Sequence, residues 1–111
     1  NRVVLKVTAS GQLPTEYTLW QNYPNPFNPT TTIKFALPVQ SRVSVEIYNV
    51  LGQRVRELLK SDRPAGYHVL EWNGTGDAGQ ELGNGVYFLR LSAKAQNGTS
   101  FNEVRKMMIV K

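Results

Sequence analysis

The chain has 111 residues, 41% of them hydrophobic and 19% charged, which fits one globular domain with a modest core. It has no cysteine, which excludes thiol catalysis, thiolate metal sites and disulfide staples. The net charge is +5, but the 13 Lys and Arg are scattered, the closest groupings being Arg54 with Arg56 and Arg105 with Lys106, so no nucleic-acid partner is expected.

Residues 1–9 alternate weakly through Val3, Leu5 and Val7 and read as a strand. Gly11 and Pro14 mark a linker, so residues 1–15 are read as linker or the end of a preceding domain and residues 16–111 as the domain proper. The chain starts at Asn1 with no basic-then-apolar leader, which reads as a piece of a longer protein. No stretch approaches the roughly 18 apolar residues of a membrane-spanning helix.

Residues 18–23 predict a short first strand, ended by Pro24, Pro26 and Pro29. Those prolines lack amide donors and fix φ, so the stretch cannot lie inside a sheet. It reads as an ordered crossing segment anchored by Tyr23 and Phe27. Residues 30–37 alternate, with Ile33, Phe35 and Leu37 inward and Thr32, Lys34 and Ala36 outward. Residues 42–49 repeat the pattern through Val43, Val45 and Ile47, with Ser44, Glu46 and Tyr48 outward; a turn at Gly52 follows. Residues 53–60 are ambiguous, because Val55, Leu58 and Leu59 suit helical spacing, but the shortness and the preceding turn favour a strand.

After the turn at Pro64-Ala65-Gly66, residues 67–72 alternate, with His68, Leu70 and Trp72 on one face. Residues 73–85 are too Gly-rich for a strand and read as a long loop, with room for a short hairpin around Gln80-Glu81-Leu82. Residues 86–93 form a strand with Tyr87, Leu89 and Leu91 sharing a face. Asn97-Gly98 signals a hairpin turn, and residues 101–111 are the last strand. About seven antiparallel strands without a convincing helix predict an all-β, immunoglobulin-like β-sandwich.

Two segments carry a resemblance. Leu19-Trp20-Gln21-Asn22-Tyr23-Pro24-Asn25-Pro26-Phe27-Asn28-Pro29 leads into the strand ending at Pro38, and Lys106-Met107-Met108-Ile109-Val110-Lys111 closes the chain. Between them lie Val45-Glu46-Ile47-Tyr48-Asn49-Val50-Leu51-Gly52-Gln53-Arg54-Val55, Ala65-Gly66-Tyr67-His68, Trp72-Asn73-Gly74, Gly79 and Gly85-Val86-Tyr87-Phe88. In this order the motifs closely resemble the C-terminal sorting domains (type A) of the type IX secretion system. The Gly-x-Tyr and Trp-x-Gly portions are also similar to the immunoglobulin-like domain of flagellar hook-capping proteins. Trp20 stands where an aliphatic or small residue is common in the sorting domains, and residues 1–10 have no counterpart there.

The resemblance implies a non-catalytic sorting module attached to an N-terminal cargo domain. Such modules pass through the periplasm and direct cargo across the outer membrane, by way of its secretion machinery, to the cell surface. In many members a surface peptidase then removes the domain and joins the cargo to anionic lipopolysaccharide. Recognition is associated with the terminal strand, which maps onto Lys106, Met107, Met108, Ile109, Val110 and Lys111. The residues alone leave an alternative open: a carbohydrate-binding or spacer module of a multidomain secreted enzyme.

No catalytic, cofactor or metal residues are assigned. His68, the single histidine, has no nucleophile and orienting group marked near it in sequence and reads as structural. Asp77 in the Gly-rich loop suggests calcium only weakly, since calcium needs several oxygen ligands from one tight loop. Asn73-Gly74-Thr75 and Asn97-Gly98-Thr99 fit the N-glycosylation pattern but are more simply turns. Among the aromatics, Trp72 and Tyr87 read as core, and Tyr48 and Tyr67 as the exposed pair that could stack on sugars. The terminal strand is expected to offer backbone groups and alternate side chains to a partner sheet. The bland reading of the same residues is an edge strand flanked by solubilising lysines.

Overall fold

Seven strands make up two packed sheets in the computed structural model, which describes residues 12–111. They are β1 (Thr18–Leu19), β2 (Thr31–Leu37), β3 (Ser41–Tyr48), β4 (Arg54–Arg63), β5 (Gly66–Trp72), β6 (Gly85–Ala95) and β7 (Ser100–Ile109). One sheet has three strands in the order β1-β2-β5, the other four in the order β4-β3-β6-β7, and every pairing is antiparallel. This is the expected immunoglobulin-like sandwich. The strand expected at residues 1–9 lies outside the described residues, as do residues 10 and 11 of the expected linker.

The alternating apolar residues build the core between the sheets. Leu19, Ile33, Phe35, Leu37 and Trp72 of the small sheet meet Val43, Val45, Ile47, Leu89, Leu91, Met107 and Ile109 of the large one, all buried. Ala36 departs from the pattern. It points away from the core yet is buried, because it lies between Thr18 and Tyr67 in register and its methyl group is overshadowed by larger neighbours.

β4 shows why its sequence looked helical. Opposite β3, Val45 pairs with Leu59 but Glu46 pairs with Glu57; Ile47 pairs with Arg56 but Tyr48 pairs with Arg54. Leu58 and Val55 are each the extra residue of a bulge, and each bulge shifts the side-chain phase by one. Val55, Leu58 and Leu59 therefore all pack on the core from one extended strand.

The turns follow their glycines. Gly52 (φ 80°) and Gly98 (φ 92°) both take left-handed backbone, and Gly98 closes the β6–β7 hairpin by donating to the Ala95 carbonyl. The long loop holds the small hairpin foreseen near Gln80: Gly76 donates to the Gln80 carbonyl, Leu82 donates to the Gly74 carbonyl, and Thr75 bridges Glu81. Asp77 docks this loop on β4. Its amide donates to the Val55 carbonyl, and its carboxylate accepts from the Glu57 amide at 2.9 Å.

Two boundaries differ from the sequence reading. β7 stops at Ile109 rather than Lys111, because Val110 and Lys111 leave β6 for other partners: Phe27 and Asn84. The first strand is two residues long, but its path along β2 continues. Trp20 donates to Lys34, and Tyr23 exchanges both backbone hydrogen bonds with Thr32. That exchange places Tyr23 on the outer row of the small sheet, where it is 80% exposed. It is not an anchor. Phe27 alone enters the core, 2% exposed, with its ring 5.5 Å from that of Trp72.

Candidate recognition surface at the terminal strand

Among the described strands β7 lies at the edge of its sheet, next to β6. Met107 and Ile109 point inward and are fully buried, which settles the phase of the terminal segment. Lys106, Met108 and Val110 face solvent. The six terminal residues picked from sequence thus divide into two that hold the core, three that form a surface row, and Lys111. Lys111 turns to the long loop, where its amide donates to Asn84 Oδ1 and its Nζ lies 3.3 Å from Glu81.

The outward backbone of this row is already engaged by the chain itself. Gln21 Nε2 donates to the Lys106 carbonyl at 2.8 Å, and Asn25 Nδ2 donates to the same carbonyl at 3.4 Å. Asn25 Oδ1 accepts from the Met108 amide at 3.0 Å. Phe27 donates to the Met108 carbonyl and accepts from the Val110 amide, each at 3.1 Å, in parallel register with Ile109. A proline-rich segment can line a strand edge only if something replaces its missing donors. The Asn25 side chain does so, its amide acting as one donor and one acceptor in place of a backbone unit.

A second asparagine fastens the segment. Asn22 is buried; its Nδ2 donates to Thr31 Oγ1 at 2.9 Å and to the Pro24 carbonyl at 3.2 Å, while Thr31 Oγ1 donates to that carbonyl at 2.8 Å. Replacing Asn22 with Ala leaves these groups short of partners in a closed site. It is expected to lower the unfolding free energy by about 1–3 kcal/mol, measurable by urea denaturation. On intact chain, limited proteolysis is expected to spare the peptide bonds from Tyr23 to Asn28; rapid cutting there would contradict the packing just described.

Arg105 ties the two sheets at this edge by donating from Nε to the Leu19 carbonyl at 3.0 Å. Its 3.8 Å pairing with Glu103 is exposed and contributes little. Farther back on β7, the outward backbone groups of Asn102 and Val104 have no backbone partner among the described residues. A shallow cleft of about 180 Å³ lies between the proline segment and the row, lined by Asn25, Pro26, Lys106, Met107 and Met108.

The meeting of the two motifs is what sequence reading missed. They stand about eighty residues apart, and neither proline spacing nor alternation signals a contact between them. The available signal was the asparagine at every third position of Asn22-Tyr23-Pro24-Asn25-Pro26-Phe27-Asn28, side chains able to stand in for the amides that proline lacks.

Perturbed titratable groups lie elsewhere. At Glu46 burial pushes the carboxyl up, but hydrogen bonds from Tyr48 and Arg54 prevail and hold it below its ordinary value. Burial raises the Tyr87 phenol, which donates to the Gly83 carbonyl at 2.8 Å. His68 stacks on Phe35 at 5.1 Å and bonds the Pro64 carbonyl through Nε2, a structural placement. Among the described residues, no three His, Asp or Glu side chains gather as a metal site would require. Tyr67 is exposed as expected, whereas Tyr48 is half-buried against Glu46.

None of the curated proteins matches this chain. Among solved structures, dimeric latent PorU from Porphyromonas gingivalis is similar with a TM-score of 0.70 at 22% identity, over 96% of this chain and 10% of that one. FlgD from P. aeruginosa is similar with a TM-score of 0.58 at 22% identity, over 71% of this chain and 61% of that one. PorZ, an essential bacterial surface component of the type IX secretion system of Porphyromonas gingivalis, is similar with a TM-score of 0.51 at 20% identity, over 84% of this chain and 11% of that one. The chain therefore corresponds to a small part of PorU and PorZ, and at these identities the likeness establishes the fold. Residues 25–97 match the FlgD Ig-like domain, well over half of the sequence, and the chain belongs to that family.

Proposed function

We propose that this domain is a non-catalytic C-terminal sorting module that directs an attached N-terminal cargo across the outer membrane to the cell surface. The observation that carries the reading is the junction of the two motifs. Five hydrogen bonds join the proline segment to Lys106, Met108 and Val110, so the two stretches that most resemble sorting domains form one surface. The fold it shares with PorU and with PorZ, a surface component of the type IX secretion system, supports the same reading.

The geometry alters the expected mode of recognition. Strand addition along residues 106–110 would first have to displace Asn25 and Phe27 from the edge. Secretion machinery instead reads the outward side chains of Lys106, Met108 and Val110 beside Asn25 and Pro26, on a row held in register by Met107 and Ile109 beneath it. Alternate side chains then supply selectivity, as in other strand-presenting partners.

Sufficiency is tested by fusing the full chain to the C-terminus of a signal-peptide-bearing reporter in a bacterium with a type IX system. The reporter is expected on the surface, where protease added to intact cells reaches it. A reporter retained in the periplasm with the domain folded would contradict the proposal and favour a spacer role.

A further inference from the structure

The outer face of the small sheet carries an aromatic groove beside the terminal row, with Gln21 at their common border. Its volume is about 840 Å³, and Trp20, Tyr23, Tyr67 and Val69 line it. These four side chains are 42%, 80%, 63% and 59% exposed, a concentration of large apolar surface that an isolated domain does not need for folding. The sheet register orders them. Tyr67 sits opposite Ala36, Val69 opposite Lys34, and Tyr23 opposite Thr32, while Trp20 donates to the Lys34 carbonyl from the other side. The Trp20 and Tyr67 rings are 6.3 Å apart and inclined by 33°, giving a broad rather than a closed aromatic floor.

The centre of this floor is a cation. Lys34 stands in the row between Trp20 and Val69, and among the described residues no acid pairs with it. The core of a protein–protein interface is depleted in charge, and in lysine especially. A central lysine beside Trp20, Tyr23 and Tyr67 suits a ligand with flat apolar faces, hydroxyl edges and a negative group. Glu71, beside Thr32, lies at one end and limits where that negative group can sit. The chain's net +5 favours the approach of an anion.

We infer that the groove binds an acidic polysaccharide, its pyranose rings stacked on Trp20, Tyr67 and Tyr23 and an acidic substituent on Lys34. The site is independent of the sorting proposal and is measured on the isolated full chain. Trp72 is buried and Trp20 exposed, so quenching of tryptophan emission reports the groove. Titration with a hexamer of galacturonate is expected to saturate below about 1 mM and to exceed the affinity for cellohexaose. Trp20→Ala, which lacks the reporting indole and is therefore read by isothermal titration calorimetry alongside the parent, and Tyr67→Ala are each expected to weaken binding about tenfold. Lys34→Gln is expected to abolish the preference for the acidic sugar while leaving the melting temperature unchanged.

Four results would overturn the inference. One is no binding of either sugar. Another is binding indifferent to Trp20→Ala and Tyr67→Ala, which marks nonspecific attraction to the net charge. The third is a dimer in sedimentation that Trp20→Ala dissociates, which makes the face an interface between copies. Equal affinity for the two hexamers would overturn the acidic assignment.

Discussion

Replacing Trp72 with alanine is expected to lower the unfolding free energy by about 3–5 kcal/mol. The indole is 1% exposed at the point where three parts of the fold meet. It lies 5.5 Å from the Phe27 ring, which secures the proline segment, and 6.1 Å edge-on from Tyr87 of β6. Its Nε1 also donates to the Thr75 carbonyl at 2.9 Å, holding the start of the long loop. Alanine leaves a large cavity that the flanking strands cannot close without breaking register. Urea denaturation measures the loss; a change below about 1 kcal/mol, within the range of surface substitutions, would contradict this account of the core.

Removal of residues 106–111 is expected to unfold the domain outright. Two of those residues, Met107 and Ile109, are fully buried, and losing such side chains costs about 2–5 kcal/mol apiece. The deletion also strips Phe27 of both its backbone partners on the terminal segment. The two side chains alone account for about 4–10 kcal/mol, comparable to the about 5–15 kcal/mol that a domain has in total. Surface delivery is therefore expected to fail with the deletion, and the loss of near-ultraviolet circular dichroism is expected to accompany it. By contrast, replacing Lys106 and Lys111 with Gln is expected to leave the melting temperature nearly unchanged, because the Lys111–Glu81 contact is exposed and Lys106 pairs with no acid among the described residues. A folded, cooperative deletion variant would show that the terminal strand adds little to the core.

Much of the fold was legible because its strands bury one face each. Ile33, Phe35 and Leu37, or Val43, Val45 and Ile47, state their direction by period alone. Legibility failed where backbone geometry broke the period. The bulges at Val55 and Leu58 made a strand look helical, and no residue in that stretch marks a bulge. It failed again for Tyr23, whose side chain points outward because its backbone bridges β2, a long-range fact that local apolarity cannot convey. The candidate surface was half legible. Sequence singled out both segments, but the side-chain hydrogen bonds of Gln21 and Asn25 that join them depend on tertiary approach. The phase of the terminal strand, ambiguous in a Met-Met-Ile-Val run, was fixed only by which residues meet the core.

The central claim concerns the outward row, and one measurement reaches it without touching the core. Lys106→Gln, Met108→Gln and Val110→Thr are combined in the reporter fusion, and surface exposure is scored on intact cells alongside the melting temperature of the purified domain. The account predicts a domain that melts within a few degrees of the parent and a reporter trapped in the periplasm. A folded variant delivered to the surface as well as the parent would show that the terminal row is not what the secretion machinery reads.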